Sequence, residues 1–148
     1  MTEEAWLDVL SLDDCLGLLR ATTVGRLAFV SDDWPAVFPV NYGLVEVCER
    51  RWLALRTRPG NVIDRAPLKV AFQIDGVDPI RKHGWSVLVR GTLQRVDPDA
   101  ADFRDRFDPQ PWILEDRDAW LIVEPFAITG RRLHPPEPEW AFHPEAYL

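Results

Sequence analysis

The stretch Gly25–Gly43, GRLAFVSDDWPAVFPVNYG, constrains the fold more than any other part of the chain. Two strand-like runs, Gly25–Ser31 and Pro35–Tyr42, flank the cluster Asp32-Asp33-Trp34, which is short enough to force them antiparallel. Leu27 and Phe29 alternate with Arg26, Ala28 and Val30, and Val37 and Pro39 alternate with Ala36, Phe38 and Val40. Both faces of the expected hairpin are therefore largely apolar, and both need cover. One face can fill a barrel interior, while the other calls for a helix, a ligand or a second subunit. Pro39 lies inside the second run, where the missing N–H argues for a sheet edge, a bulge or an opening in the wall. Asn41-Tyr42 then sits at the rim of that opening.

The rest of the chain reads as more strands with short helices between them. Ser11 caps a helix in which Leu12, Cys15, Leu16 and Leu19 fall at helical spacing, with acids in its first turn. Leu44–Cys48 and Trp52–Thr57 form a second hairpin about Glu49-Arg50-Arg51, and Val62–Ala66 reads as a short helix. Lys69–Ile74 is a strand, Asp75–His83 a charged loop, and Gly84–Val96 the longest strand, with Gly91 marking a bulge or bend. Ala100–Phe107 has a capped helical pattern. Ala119–Val123 and Phe126–Leu133 make a final strand or pair broken at Pro125, and 134–148 is an extended tail. This inventory gives a mainly β, six- to seven-stranded antiparallel Greek-key barrel with two or three short helices. The 148 residues suit one domain, its core at about 11–133.

Composition excludes several functions. A formal charge of −7 without a lysine cluster speaks against nucleic acid, since phosphate neutralisation supplies most of that affinity. No run reaches the length of a membrane span, and the acidic start lacks the pattern of an export signal. Cys15 and Cys48 form no CxxC and no metal-ligand spacing, which fits a reducing cytoplasm. His83, His134 and His143 lack zinc-site spacing, and Ser86 lacks the second glycine of a nucleophile elbow. Seven tryptophans are a heavy load for this length and suit a dimer interface or a planar cofactor as well as a core.

Arg56-Thr57-Arg58-Pro59-Gly60-Asn61 brings two guanidiniums and a hydroxyl to a strand end that leads through glycine into a helix start. That combination either anchors an anion or is a solvated structural turn.

Three motifs in order carry a resemblance: Gly25-Arg26-Leu27-Ala28-Phe29-Val30, then Pro39-Val40-Asn41-Tyr42, then Gly84-Trp85-Ser86-Val87-Leu88-Val89-Arg90-Gly91. Together they resemble the pyridoxamine 5′-phosphate oxidase-like FMN-binding split barrels, closest to small actinobacterial-type members related to nitroimidazole-resistance proteins, over about Ser11 to Arg132. The resemblance implies a split barrel, a homodimer and a flavin site at the dimer interface. The stretch equivalent to Arg56–Asn61 binds the FMN phosphate in that family; Gly60 matches, while Asn61 and Val62 stand where serine and lysine are common. Pro39, Val40, Asn41 and Tyr42 with Trp85 and Ser86 would then frame the flavin ring, unless Trp85 is a dimer-core aromatic and Asn41 a turn cap.

The expected function is an FMN-dependent oxidoreductase transferring hydride to or from a small planar substrate. Deazaflavin is the alternative cofactor, and haem a weaker one. The rival readings are a non-catalytic binding dimer for storage or sensing, and a member that has lost its cofactor. No catalytic side chain stands out, and the authentic oxidases' C-terminal arginine-histidine motif is absent.

Overall fold

A computed structural model describes residues 7–57, 66–97 and 119–135. Its elements are β1 (Leu7–Val9), α1 (Leu12–Ala21), β2 (Val24–Ser31), β3 (Trp34–Val47), β4 (Arg50–Thr57), β5 (Leu68–Asp78), β6 (His83–Val96) and β7 (Ala119–Leu133). All seven strands join one antiparallel sheet in the order β1-β7-β4-β3-β2-β5-β6, and β7 also pairs with β6. That last pairing closes the sheet into a barrel, as the alternating pattern implies.

The expected hairpin forms with Ser31 opposite Trp34, and Asp32 and Asp33 take up φ of 51° and 65° in a two-residue turn. Aspartate tolerates this left-handed backbone, which matches the strand twist. Leu27 and Phe29 point into the core with Phe72, Ile74, Val87 and Val89. Helix α1 closes one end of the barrel. The Ser11 side chain accepts from Asp14 N at 3.1 Å as its N-cap, and Cys15, Leu16 and Leu19 face inward. Burial, then the Asp14 charge, raises the pKa of the Cys15 thiol and keeps it unreactive. Gly130 lets the helix come close, because a Cβ there would lie 2.5 Å from Cys15 Sγ.

Several boundaries differ from the sequence reading. Pro35–Tyr42 and Leu44–Cys48 belong to one long strand, β3, since Gly43 pairs with Ala54 and does not interrupt the ladder. The second turn is Cys48-Glu49, with φ of 49° and 65°, so Arg50 and Arg51 start β4. Asp75–His83 is not a loop. β5 runs to Asp78 and β6 begins at His83, around a turn in which Asp78 Oδ1 accepts from the backbone N–H of Ile80 and Arg81 at 3.1 Å each. Paired strands satisfy backbone groups more fully than a charged loop would, and Asp75, Arg81 and Lys82 keep their charges exposed. Pro125 does not break the last strand. The register with β6 shifts between Arg90 and Gly91, so Pro125 faces Gly91 and Phe126 becomes the extra residue of a bulge. Gly91 is required there, since a Cβ would lie 2.2 Å from Glu124 O. Strand β1 was not anticipated from the sequence. Ala66 lies outside any helix, and the remainder of the expected 62–66 helix, the 100–107 helix and the tail beyond 135 lie outside the described residues. Among the described residues there is one helix, and no helix is long and apolar enough to cross a membrane.

The wall is open along part of β3. Its ladder with β4 begins only at Tyr42, opposite Leu55, so Trp34 to Asn41 pair with β2 alone. Tyr42 N donates to Thr23 O at 3.1 Å, which sets the alternation: even-numbered β3 residues bond β2. Pro35 and Pro39 are odd-numbered, so their missing N–H groups fall on the free edge. Two prolines without donors blunt that edge against further strand pairing.

Candidate functional site

The point where β3 and β4 part is where the sequence-derived residues gather. Asn41 is the first β3 residue beyond the ladder, and Arg56 and Thr57 are the last two of β4. Strand alternation divides them. Asn41 shares the outer face with Pro39 and Val24, and Arg56 shares it with Trp120, which pairs with it on β7. The Arg56 guanidinium carbon lies 4.8 Å from the centre of the Trp120 ring, a cation–π contact that fixes where the charge sits.

Thr57 turns inward beside Ala119. It is 1% exposed, and its Oγ1 has no hydrogen-bond partner among the described residues. A buried hydroxyl without a partner costs about 1–3 kcal/mol, so strand ends rarely keep one without use. Arg56 is its neighbour in the chain but on the opposite face, so an oxyanion entering where the strands part meets the guanidinium first and the hydroxyl only at the strand end.

Alternation splits the remaining expected residues in the same way. Val40 packs against the core, and Tyr42 is buried with its hydroxyl donating to Leu19 O at 2.7 Å and its ring edge-on to Phe72 at 4.7 Å. Burial pushes the Tyr42 phenol well above its ordinary pKa, so it stays protonated and ties α1 to the barrel. Trp85 also points inward. Its indole lies over Gly76, where a Cβ would come within 2.6 Å of Nε1, and it borders a cavity of about 460 Å³ with His83, Arg132 and His134.

Ser86 faces outward, opposite Asp75 and Arg131. Extending the β2–β5 register puts Val24 level with Asp75, so Asn41 and Ser86 lie on one outer row. Three strand spacings separate them, about 14 Å along the wall. Between them Arg26 Nη1 donates to Asp75 Oδ1 and to Gln73 Oε1, each at 3.1 Å, and Gln73 Nε2 donates to Asp75 Oδ2 at 3.2 Å. The Gln73 amide first, and Arg26 next, hold the Asp75 carboxyl below its ordinary pKa. Arg56 stands one strand beyond Asn41 on that wall, so its separation from Ser86 is larger, about 19 Å. One chain thus brings Pro39, Asn41, Arg56 and Thr57 together and holds Trp85 and Ser86 apart from them. Arg58, Gly60 and Asn61 lie outside the described residues. Trp120 was missed in the sequence; its only signal is a tryptophan opening the last strand, and its place beside Arg56 follows from the β4–β7 pairing.

A second feature lies further along the same outer face. Ala28, Val30, Val37, Ala71, Thr92 and Phe126 line a groove of about 630 Å³. Apolar side chains are left bare here, Val30 at 64% and Phe126 at 87% exposed.

The closed antiparallel barrel with one parted wall defines the class of protein. The model of the family described as pyridoxamine 5′-phosphate oxidase matches residues 11–132, and the chain belongs to that family. An uncharacterised protein of Mycobacterium tuberculosis is 31% identical over 128 residues, covering 84% of each chain. Among solved structures, the FAD-binding protein from Mycobacterium smegmatis is similar with a TM-score of 0.65 and 29% identity, over 86% of this chain and 99% of that one. A FAD-binding protein from Mesorhizobium loti gives a TM-score of 0.68 and 25% identity, over 87% and 98% of the two chains.

Proposed function

We propose that this chain binds a flavin nucleotide at the parting of β3 and β4 and acts as an FMN-dependent oxidoreductase on a small planar substrate. The observation that carries the reading is the end of β4, where the Arg56 guanidinium sits on the outer wall and the next residue, Thr57, holds a buried hydroxyl without a hydrogen-bond partner among the described residues. Arg56 meets the phosphate from the outer wall, and the Thr57 hydroxyl donates to it where β4 ends and the two faces meet. Asn41 offers an amide to the polar edge of the ring, and Pro39 gives a flat, donor-free wall beside it. Trp85 and Ser86 complete the pocket only from a second copy, because within one chain they stand too far away. When bound, the flavin supplies the hydride chemistry; the chain orients it and excludes water.

FMN and FAD share the phosphate that this end would hold. The FAD-binding relatives make FAD the closest competitor, and with valine where the family's lysine is common, affinity spread over a second phosphate and an adenine is chemically reasonable. Non-catalytic flavin binding is the second reading, favoured by a site whose described side chains, Asn41, Arg56 and Thr57, bind and orient and carry no proton-transfer group for neutral pH.

The test is titration of apo-protein with FMN, FAD, oxidised deazaflavin and haem, followed by fluorescence quenching or Soret absorbance. Micromolar binding of FMN or FAD supports the flavin reading, and its ratio picks the nucleotide. Tighter deazaflavin binding changes the cofactor; haem alone, or nothing, overturns the reading. Anaerobic reoxidation of the reduced complex by a quinone or nitroaromatic then separates an oxidoreductase from a binding protein.

A further inference from the structure

The outer groove and the β2–β3 turn have opposite chemistry and lie side by side. The groove floor is small and apolar, Ala28 and Ala71 with Gly91, and it carries two cations, Lys69 and Arg90. Neither cation forms an ion pair among the described residues, in a chain of net charge −7 where acids outnumber bases. The turn carries the complement. Asp32 and Asp33 also have no ion-pair partner there, and Trp34 beside them is 77% exposed. Neither side of this match is satisfied among the described residues.

We propose that the Asp32-Asp33-Trp34 turn of one copy docks in the outer groove of a second copy, the indole on the apolar floor and the carboxylates on Lys69 and Arg90. This goes beyond the flavin reading and concerns a separate contact between two copies. The symmetry allows it. Val30 and Pro35 pair with one another, line the groove and flank the turn. A two-fold axis through that pair lays each turn over the other copy's groove, burying the same patch twice. A groove of about 630 Å³ has room for an indole, and a buried aromatic ringed by opposite charges is the usual anatomy of an energetic interface centre. The blunted β3 edge leaves this face, not strand addition, as the route to association.

Sedimentation equilibrium of the full chain tests it. Asp32→Asn with Asp33→Asn keeps residues that tolerate positive φ and removes the charges; Lys69→Glu with Arg90→Glu reverses the other side. Each pair of changes is expected to raise the dimer dissociation constant by about tenfold or more, and high salt to weaken the wild-type dimer. Lys69→Glu with Arg90→Glu, combined with Asp32→Lys and Asp33→Lys, exchanges the charges within one chain and is expected to recover most of the loss. Circular dichroism of every variant confirms the fold, and the exposed Trp34→Ser change weakens the dimer without touching the core. A dimer that none of these changes weakens, or a folded charge-exchanged chain with no recovery, overturns the docking and leaves the flavin pocket standing. A wild-type monomer at micromolar concentration overturns both.

Discussion

The two faces of the β2–β3 hairpin carry comparable apolar side chains and meet opposite fates. Leu27 and Phe29 lie in the core with Phe72, while Val30 and Val37, one residue out of phase, stand largely bare. The core therefore does not need the outer face. Apolar surface that folding leaves uncovered has a use in binding, and here it lies on the same wall as the parting of β3 and β4.

This contrast breaks most visibly under truncation. Leu27→Ala removes a fully buried side chain with little room to collapse and is expected to cost about 2–5 kcal/mol, read as a drop in the urea midpoint. Tyr42→Phe leaves the Leu19 carbonyl under α1 without its donor, for about 1–3 kcal/mol, with the hydrophobic contact to Phe72 kept. Thermal melting that shows no loss would mean the helix is not held this way.

Smaller still is the ion pair that ties α1 to β3. Arg20 Nε and Nη2 donate to the two Glu46 oxygens at 2.7 and 3.0 Å, and these bonds hold the Glu46 carboxyl below its ordinary pKa. A depressed folded pKa gives stability that is present above the unfolded value and lost as pH falls through the folded one. Glu46→Gln is expected to cost less than about 1 kcal/mol at neutral pH, and the difference from wild type to vanish in acid. An unchanging difference between pH 7 and pH 3 would contradict that origin. Val37→Ser, on the bare face, is expected to move stability by no more than about 0.5 kcal/mol. Its effect is expected instead in the dissociation constant of the proposed dimer.

The hairpin, the capped first helix and the bulge at Gly91 were legible because each is written locally, in alternation, in Ser11 before an amphipathic run, and in a glycine within a long strand. The length of β3 and the Asp75–Asp78 extension were not. Gly43 and the charged residues after Ile74 look like loop, and only pairing with Ala54 and with Ser86 through His83 makes them strand. The candidate site was half legible. A linear motif names neighbours such as Arg56-Thr57 or Trp85-Ser86, but a strand sends neighbours to opposite faces, so one of each pair reaches the outer wall and the other the interior. Trp120 was invisible for the opposite reason, since it meets Arg56 only across the pairing of β4 with β7, strands far apart in the sequence.

The most direct measurement is flavin titration of wild type and Thr57→Val, alongside the melting temperature of each apo-protein. Valine keeps the shape and removes the hydroxyl that has no partner, so the apo-protein is expected to be as stable as wild type or slightly more so. Flavin affinity is expected to fall about tenfold, the loss of ~1.4 kcal/mol from one charge-assisted bond. A destabilised variant that binds FMN and FAD as tightly as wild type would show that the Thr57 hydroxyl serves the fold, and would remove the phosphate from the parting of β3 and β4.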